Sequence, residues 1–407
     1  MAGPLGHIKV LELARVLAGP WAGQTLADLG AGVIKVEKPG VGDDTRAWGP
    51  PFAKGPDGRP TKIAGYFLST NRGKRSVTID FTRPEGQRLV EELARGSDVL
   101  IENFKVGGLT KYGLDYPSLK AINPRLIYCS ITGFGQTGPY RHRPGYDFMI
   151  QGIGGLMSFT GEADGHPGAG PMKVGVAVTD VFTGLYATIA ILGALTHRER
   201  TGEGQYIDLA LLDVQVAVLA NQALNYLVSG VSPVRLGNAH PNIVPYQAFP
   251  TSDGYIILAI GNDGQFARFC EIAGRPDIPR DERFLSNEVR VAHRDELVAI
   301  VTDLMAAKAS EYWLRALEEA EIPCGPINTL AQVFADPQVR ARGLKIDLPH
   351  PTAGSVPSVA NPIKYSSTTL AFELAPPELG AHTRMVLHEE LGLSLEEIDR
   401  LREAGII

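Results

Sequence analysis

Residues 7–37 read HIKVLELARVLAGPWAGQTLADLGAGVIKVE, and the fold class follows from this stretch. Two short apolar runs, His7–Leu13 and Gly32–Glu37, flank a segment, Pro20–Leu29, whose apolar spacing is helical and which stops near Gly30. Strand, helix and strand in that order make a βαβ unit, whose two strands must be parallel.

The alternation continues outward. Thr82-Arg-Pro-Glu85 opens a helix with proline at an early position, running to Ala94. Asp98–Ile101 and Leu126–Ile131 read as strands, with a helix at Pro117–Ile122 between them. An α/β fold follows, its parallel sheet covered by helices on both faces. Thr179–Arg200 is apolar nearly all round (Val181, Phe182, Leu185, Tyr186, Ile189, Leu192, Leu195), which predicts a buried helix. After the turn Thr201-Gly-Glu-Gly204 come a strand at Tyr206–Leu211 and a helix at Leu212–Val228. The character changes at Ser229-Gly-Val-Ser-Pro233. A strand at Gly254–Ile260 and helices at Asp263–Ala273, His293–Ala307 and Glu311–Glu321 predict a smaller α+β domain. Pro349–Thr369 reads as loop and short strand. A charged helix then runs to Ala404, opened by Ser394 with Glu397 at capping-box spacing.

Of 407 residues, 39 are Lys or Arg and 45 are Asp or Glu, a net charge of −6, and 44% are hydrophobic. That balance fits a globular chain with a sizeable core and argues against a general nucleic-acid partner. The 46 glycines and 29 prolines are unusually many, have no period, and predict sharp turns where backbone approaches a ligand. Cys129, Cys270 and Cys324 lie far apart, so a disulfide framework is not expected and a reducing cytoplasm is. No secretory signal pattern opens the chain. Apolar stretches such as Ile189–Leu195 are too short to span a bilayer, so no membrane partner is expected.

The commonest cofactor signatures are missing. Arg15-Val-Leu-Ala-Gly-Pro20 follows the first strand where a dinucleotide fold would carry GxGxxG, and no GxxxxGK[ST] or GxSxG appears. The nine histidines never take a metal-ligand spacing, so neither nicotinamide nor metal is expected. Two features remain. Asp180 sits where an apolar run meets the start of the buried helix, and the helix dipole would keep it ionised. Local sequence leaves two readings open, a helix-capping acid or a nucleophilic carboxylate. The second feature is clustered basic charge: Lys35, Lys38 and Arg46, the run Asn71-Arg-Gly-Lys-Arg75, then Lys105, Lys111, Arg141 and Arg143. It is either solvated charge or the counter-charge of a phosphate ligand, because loops after parallel strands converge on one crevice.

Together these segments resemble the class III CoA-transferases, the formyl-CoA transferase or carnitine CoA-transferase type. The matching stretches are Arg15–Pro20, Leu29–Arg46, Glu102-Asn-Phe104, Arg143-Pro-Gly-Tyr-Asp147, Thr201–Gln205, Gly325-Pro-Ile-Asn328 and Pro377–Thr383. Asp43–Phe52, Ile127–Gly133 and Val244–Phe249 are most similar to the succinate–hydroxymethylglutarate type. That implies a dicarboxylate acceptor and succinyl-CoA as donor. The resemblance implies a Rossmann-like large domain from 1–228, a small domain at 229–335 and a return segment at 336–407. It also implies an interlocked homodimer, each subunit threaded through the other.

The resemblance further implies that Asp180 is the catalytic nucleophile, forming mixed-anhydride and aspartyl-CoA thioester intermediates, with CoA as the only cofactor. Its implied CoA contacts are Lys38, the segment Ile79, Asp80, Phe81 and Thr82, then Asn103, Phe104, Lys105 and Lys111. Arg143, Pro144, Gly145 and Tyr146 complete them. Arg15, Leu17, Trp48 and His240 are the implied acyl pocket. Leu17 replaces a glutamine of the formyl-CoA transferases, which argues against oxalate as acceptor. Two other activities compete: α-methylacyl-CoA racemisation, whose enzymes carry histidine where this chain has Tyr146, and acyl-CoA binding without catalysis.

Overall fold

A computed structural model describes residues 3–407. Six strands, β1 (Lys9–Glu12), β2 (Gly32–Glu37), β3 (Lys74–Thr78), β4 (Val99–Glu102), β5 (Ile127–Thr132) and β6 (Tyr206–Ala210), form one sheet. Their order is β3-β2-β1-β4-β5-β6 and every pairing is parallel, the arrangement of a doubly wound Rossmann-like sheet. Both faces are covered, which explains runs that are apolar on consecutive residues. In β4, Val99 and Ile101 pack into one layer and Leu100 into the other.

One layer is made by α1 (Ala18–Asp28) and by a longer helix, Val178–Thr201. The other contains α2 (Pro84–Arg95), α3 (Tyr116–Ile122) and two C-terminal helices, Thr383–Leu391 and Leu395–Glu403. Numbering the helices onward, α4 is Asp147–Ile153, α5 is Val178–Thr201, α6 is Leu211–Ala217 and α7 is Ala220–Ser229. The C-terminal stretch is tied to the sheet by His382 N–H to Ser76 O and Asp80 N–H to Ile406 O, 2.9 and 2.7 Å.

The chain divides into two compact units. The first holds the residues up to Leu156, Val174–Leu224 and Gln338–Ile407. The second holds Met157–Lys173 and Asn225–Pro337, so it takes a segment that the expected 1–228 domain does not separate. The second unit is α+β. Tyr246–Pro250, Tyr255–Ala259 and Cys324–Pro326 make an antiparallel sheet, packed with helices around Phe249, Phe266, Phe269 and Trp313.

Three expectations change. The run Asn71–Arg75 leads into a strand, β3, that its charges concealed. The expected helix Leu212–Val228 is broken into α6 and α7, bent by 73°, with Ala220 at φ +47° where α7 begins. Helix α5 is buried on one face only. Thr179, Thr183, Ala187, Ile191, Ala194 and Arg198 face inward at helical spacing, while Phe182, Leu185, Tyr186 and Ile189 are exposed, Ile189 by 63%.

Gly184 explains how closely α1 and α5 cross. A Cβ there would lie 2.7 Å from the Ala18 carbonyl oxygen and 2.9 Å from Trp21 Cβ, so only hydrogen fits. Gly184→Ala is expected to cost about 1–3 kcal/mol of stability by overpacking this crossing, read from the midpoint of urea unfolding.

Candidate active site

β1 and β4 are neighbours whose onward connections lead to opposite sides of the sheet, so a crevice opens beyond their C-terminal ends. Arg15 follows β1 and Asn103 follows β4. Arg15 N–H donates to Asn103 Oδ1 at 2.9 Å, and Asn103 Nδ2 donates back to the Arg15 carbonyl at 2.7 Å. The two loops are thereby held as one rim. A cavity of about 800 Å³ lies here.

Beneath this rim is a buried ionic cluster. Lys35 Nζ lies 2.9 Å from Glu12 and 3.0 Å from Asp43, and Lys74 Nζ lies 2.9 Å from Glu12, with all three pairs' lysine and glutamate side chains fully buried. Burial disfavours the Lys35 charge, but Glu12, Asp43 and Glu37 outweigh it and raise its pKa. Burial, with Lys35 alongside, brings Lys74 down to about 8 despite Glu12. Asp43 also accepts from Thr45 N–H at 3.0 Å and from Val16 N–H at 3.2 Å. Val16 is thus held at φ +73°, a conformation that costs a β-branched residue roughly 1–3 kcal/mol. Arg46 pairs with Glu37 at 2.6 Å and Arg72 with Asp28 at 2.6 Å. These basic residues are therefore neither solvated nor aimed at a ligand.

The remaining basic residues, Lys38, Lys105, Lys111, Arg141 and Arg143, all line the cavity. Aromatic rings stand among them. Phe81 meets Phe104 and Tyr112 edge-on at 5.8 and 5.6 Å, Lys111 Nζ lies 4.7 Å above Tyr112, and Arg143 stacks 4.6 Å from Tyr140. Cations beside aromatic faces suit a phosphorylated nucleotide. Ile79, Asp80, Phe81, Thr82, Asn103, Phe104, Pro144, Gly145 and Tyr146 are in the same wall, as are Arg15 and Leu17. Gly145 is where two loops meet: a Cβ on it would lie 2.4 Å from Gly133 Cα.

Asp180 also lines the cavity, in the first turn of α5. The residue before this helix, Ala177, has no capping side chain. Asp147, from the start of α4, caps it instead. Its Oδ2 accepts from Thr179 N–H at 2.8 Å and Asp180 N–H at 3.3 Å, and its Oδ1 from Gln151 Nε2 at 2.6 Å. The helix dipole does not keep Asp180 at an ordinary carboxylate pKa, as its position alone suggested. Burial and then the Asp147 charge push it up to about 7.

Trp48 and His240 are not in the cavity wall. Trp48 packs edge-on against Tyr66 at 5.1 Å. Tyr66 is pushed up to about 12 by burial and then by the charges of Asp180, Asp147 and Asp43, so this unexpected phenol lies within the acids' field. His240 belongs to the second unit, where its Nδ1 accepts from Asn242 N–H at 3.1 Å and its ring meets Tyr246 at 5.2 Å. No sequence signal marked Tyr66. Asp147 was visible only as the neighbour of Tyr146.

Comparison with known proteins bears on this geometry. The model of CoA-transferase family III matches residues 5–383. The chain is 57% identical to a succinate–glutarate CoA-transferase of Agrobacterium fabrum, over 98% of this chain and 97% of that protein. It is 43% identical to the human succinyl-CoA:glutarate CoA-transferase, over 99% and 90%. A crystal structure of a CAIB/BAIF family protein from Brucella suis superposes with TM-score 0.84 at 55% identity, covering 96% of this chain and all of that one.

Glu102, at the end of β4, supplies a test of the rim. Its Oε2 accepts from Phe104 N–H at 2.7 Å, and burial pushes its pKa from 4.5 up to about 7. Between those values the folded chain holds a proton that the unfolded chain has released. Stability is therefore lost as pH rises from about 4.5 to 7. Glu102→Gln is expected to remove up to about 3 kcal/mol of that decline, read by urea unfolding at several pH values.

Proposed function

The chain belongs to CoA-transferase family III, and from that premise we propose that it moves CoA from succinyl-CoA to a short dicarboxylate such as glutarate, through covalent intermediates on Asp180. The observation that carries this reading is one cavity lined both by Asp180 and by the cations Lys38, Lys105, Lys111, Arg141 and Arg143.

An Asp180 oxygen attacks the thioester carbonyl and the C–S bond breaks, giving a mixed anhydride and CoA thiolate. The thiolate attacks the Asp180 carbonyl carbon, expels succinate and leaves an aspartyl-CoA thioester. The acceptor carboxylate attacks that thioester and expels the thiolate, forming a second anhydride. Thiolate attack on the acceptor's carbonyl then frees Asp180 and the new acyl-CoA. One thioester replaces another, so no external energy source is needed. Each anhydride must be kept from water, which the recessed cavity wall favours.

A dicarboxylate brings a second negative charge near the reacting end. Arg15 is our choice for its partner. It lines the cavity just ahead of α1, the helix that crosses α5. Its ion partner is Asp44 at 2.9 Å, and both side chains are about half exposed. Such a pair is worth roughly 0–1 kcal/mol, so a substrate carboxylate displaces Asp44 at little cost. The exposed apolar face of α5, Phe182, Leu185, Tyr186 and Ile189, supports a second copy of the chain as its cover, hence a homodimer. Three free cysteines fit a reducing compartment such as the cytoplasm.

Chromatography of a mixture of enzyme, succinyl-CoA and glutarate is expected to reveal glutaryl-CoA, and Asp180→Asn to lower the rate by at least about a thousand-fold. A full-rate Asn variant contradicts the mechanism. Arg15→Gln is expected to raise KM for glutarate by about 10- to 100-fold, with a much smaller change for a monocarboxylate acceptor.

A further inference from the structure

We propose that Asp147 is a positioning residue of acyl transfer: one carboxylate both caps the helix that presents Asp180 and, by its charge, sharpens Asp180 as a nucleophile. The inference rests on Asp180 being the attacking group.

The geometry separates Asp147 from an ordinary helix cap. A first-turn carboxylate normally draws on the free N–H groups and positive end of its own helix, which lowers its basicity. Here the N–H groups of Thr179 and Asp180 are both directed at Asp147. The cap is only 8% exposed. It is steadied from behind, because Gln151 donates to its other oxygen and in turn accepts from Val174 N–H at 2.9 Å. Asp180 is thus denied its helix's stabilising donors and left beside a second negative charge.

The groups around Asp180 come from several elements. Asp147 approaches from α4, Tyr66 from the short helix Gly65–Leu68, and Arg15 and Tyr146 from the loops ahead of α1 and α4. Asp147 is the acid among them bonded to the Asp180 backbone. When Asp180 attacks the thioester, its negative charge leaves with the CoA sulfur and its oxygen becomes part of a neutral anhydride. Repulsion from Asp147 is present before the attack and relieved after it. A carboxylate disfavoured in this way is more basic and more nucleophilic, and its acylation is favoured.

The test is the pH dependence of kcat/KM for succinyl-dephospho-CoA, a donor without the 3′-phosphate ionisation, at saturating glutarate. Only ionised Asp180 attacks, so activity rises with pH through its pKa. The wild-type midpoint is expected near 7, following burial and the Asp147 charge. Asp147→Glu, which keeps the charge, is expected to keep that midpoint at a reduced rate. Asp147→Asn, which keeps an acceptor for Thr179 but loses the charge, is expected to move it down by about one pH unit or more and to lose about ten-fold at pH 8. A purely structural role would scale activity equally at every pH, so an unmoved midpoint in Asp147→Asn overturns the proposal. If that variant does not fold, Asp147→Ser, which keeps an oxygen acceptor without the charge, makes the same comparison and an unmoved midpoint overturns the proposal. A wild-type midpoint near 4 also overturns it while leaving the transferase reading intact. Absence of transfer at any pH defeats both together.

Discussion

The placement of Glu12 between two buried lysines is the constraint on which the ligand end of the sheet depends. Glu12 closes β1, Lys35 comes from β2 and Lys74 from the start of β3, so three adjacent strands are tied together. Removing one member would strand a buried charge, at a cost of roughly 3–5 kcal/mol. Asp43 extends the cluster upward to the backbone of Val16, which is held in a left-handed conformation just before α1 begins. The charges thus convert a regular sheet into a rim whose loops have fixed directions. Arg15 and Asn103 then join the two halves of that rim across the point where the strand order reverses.

In the proposed mechanism, reactivity is set within the layer of α1 and α5. Gly184 lets α5 lie against α1, and this brings the first turn of α5 to the cavity wall. Asp147 occupies the donors at that turn, so Asp180 stands in a poorly solvated place next to a like charge. A carboxylate so placed is costly to keep ionised, a cost that acylation would remove in the proposed mechanism. Cations line the rest of the same cavity, where an anionic carrier would have to lie. In the proposed mechanism stability and reactivity are therefore divided: paired charges hold the rim, and an unfavourable pair of acids activates Asp180.

Much of this was legible in the sequence. The βαβ pattern of His7–Glu37 led directly to β1, α1 and β2, and the glycine-rich loops after the strands do surround the cavity. The strand β3 was hidden because Lys74 and Ser76 are polar yet buried, satisfied by Glu12 of β1 and Glu37 of β2. No local pattern reports a partner 62 residues away. For the same reason, clustered basic residues looked alike, although Lys35, Arg46, Arg72 and Lys74 neutralise buried acids while Lys38, Lys105, Lys111, Arg141 and Arg143 line the cavity. Helix α5 looked buried because its outer face is also apolar, and a single chain leaves that face bare. Asp180 could be singled out from its position at a helix start, but its raised pKa could not, since that depends on Asp147 arriving from another helix. Trp48 and Tyr66 illustrate the remaining limit: the resemblance pointed to the first ring, and it is the second that feels the charges of Asp180, Asp147 and Asp43.

The central claim is that Asp180 carries the acyl group and then CoA. It is tested most directly by mixing the enzyme with succinyl-CoA, trapping with hydroxylamine or borohydride, and mapping the modified peptide by mass spectrometry. The account predicts modification at Asp180, the residue whose carboxylate burial and Asp147 hold near pKa 7. An enzyme that transfers CoA while its Asp180 peptide stays unmodified would contradict it.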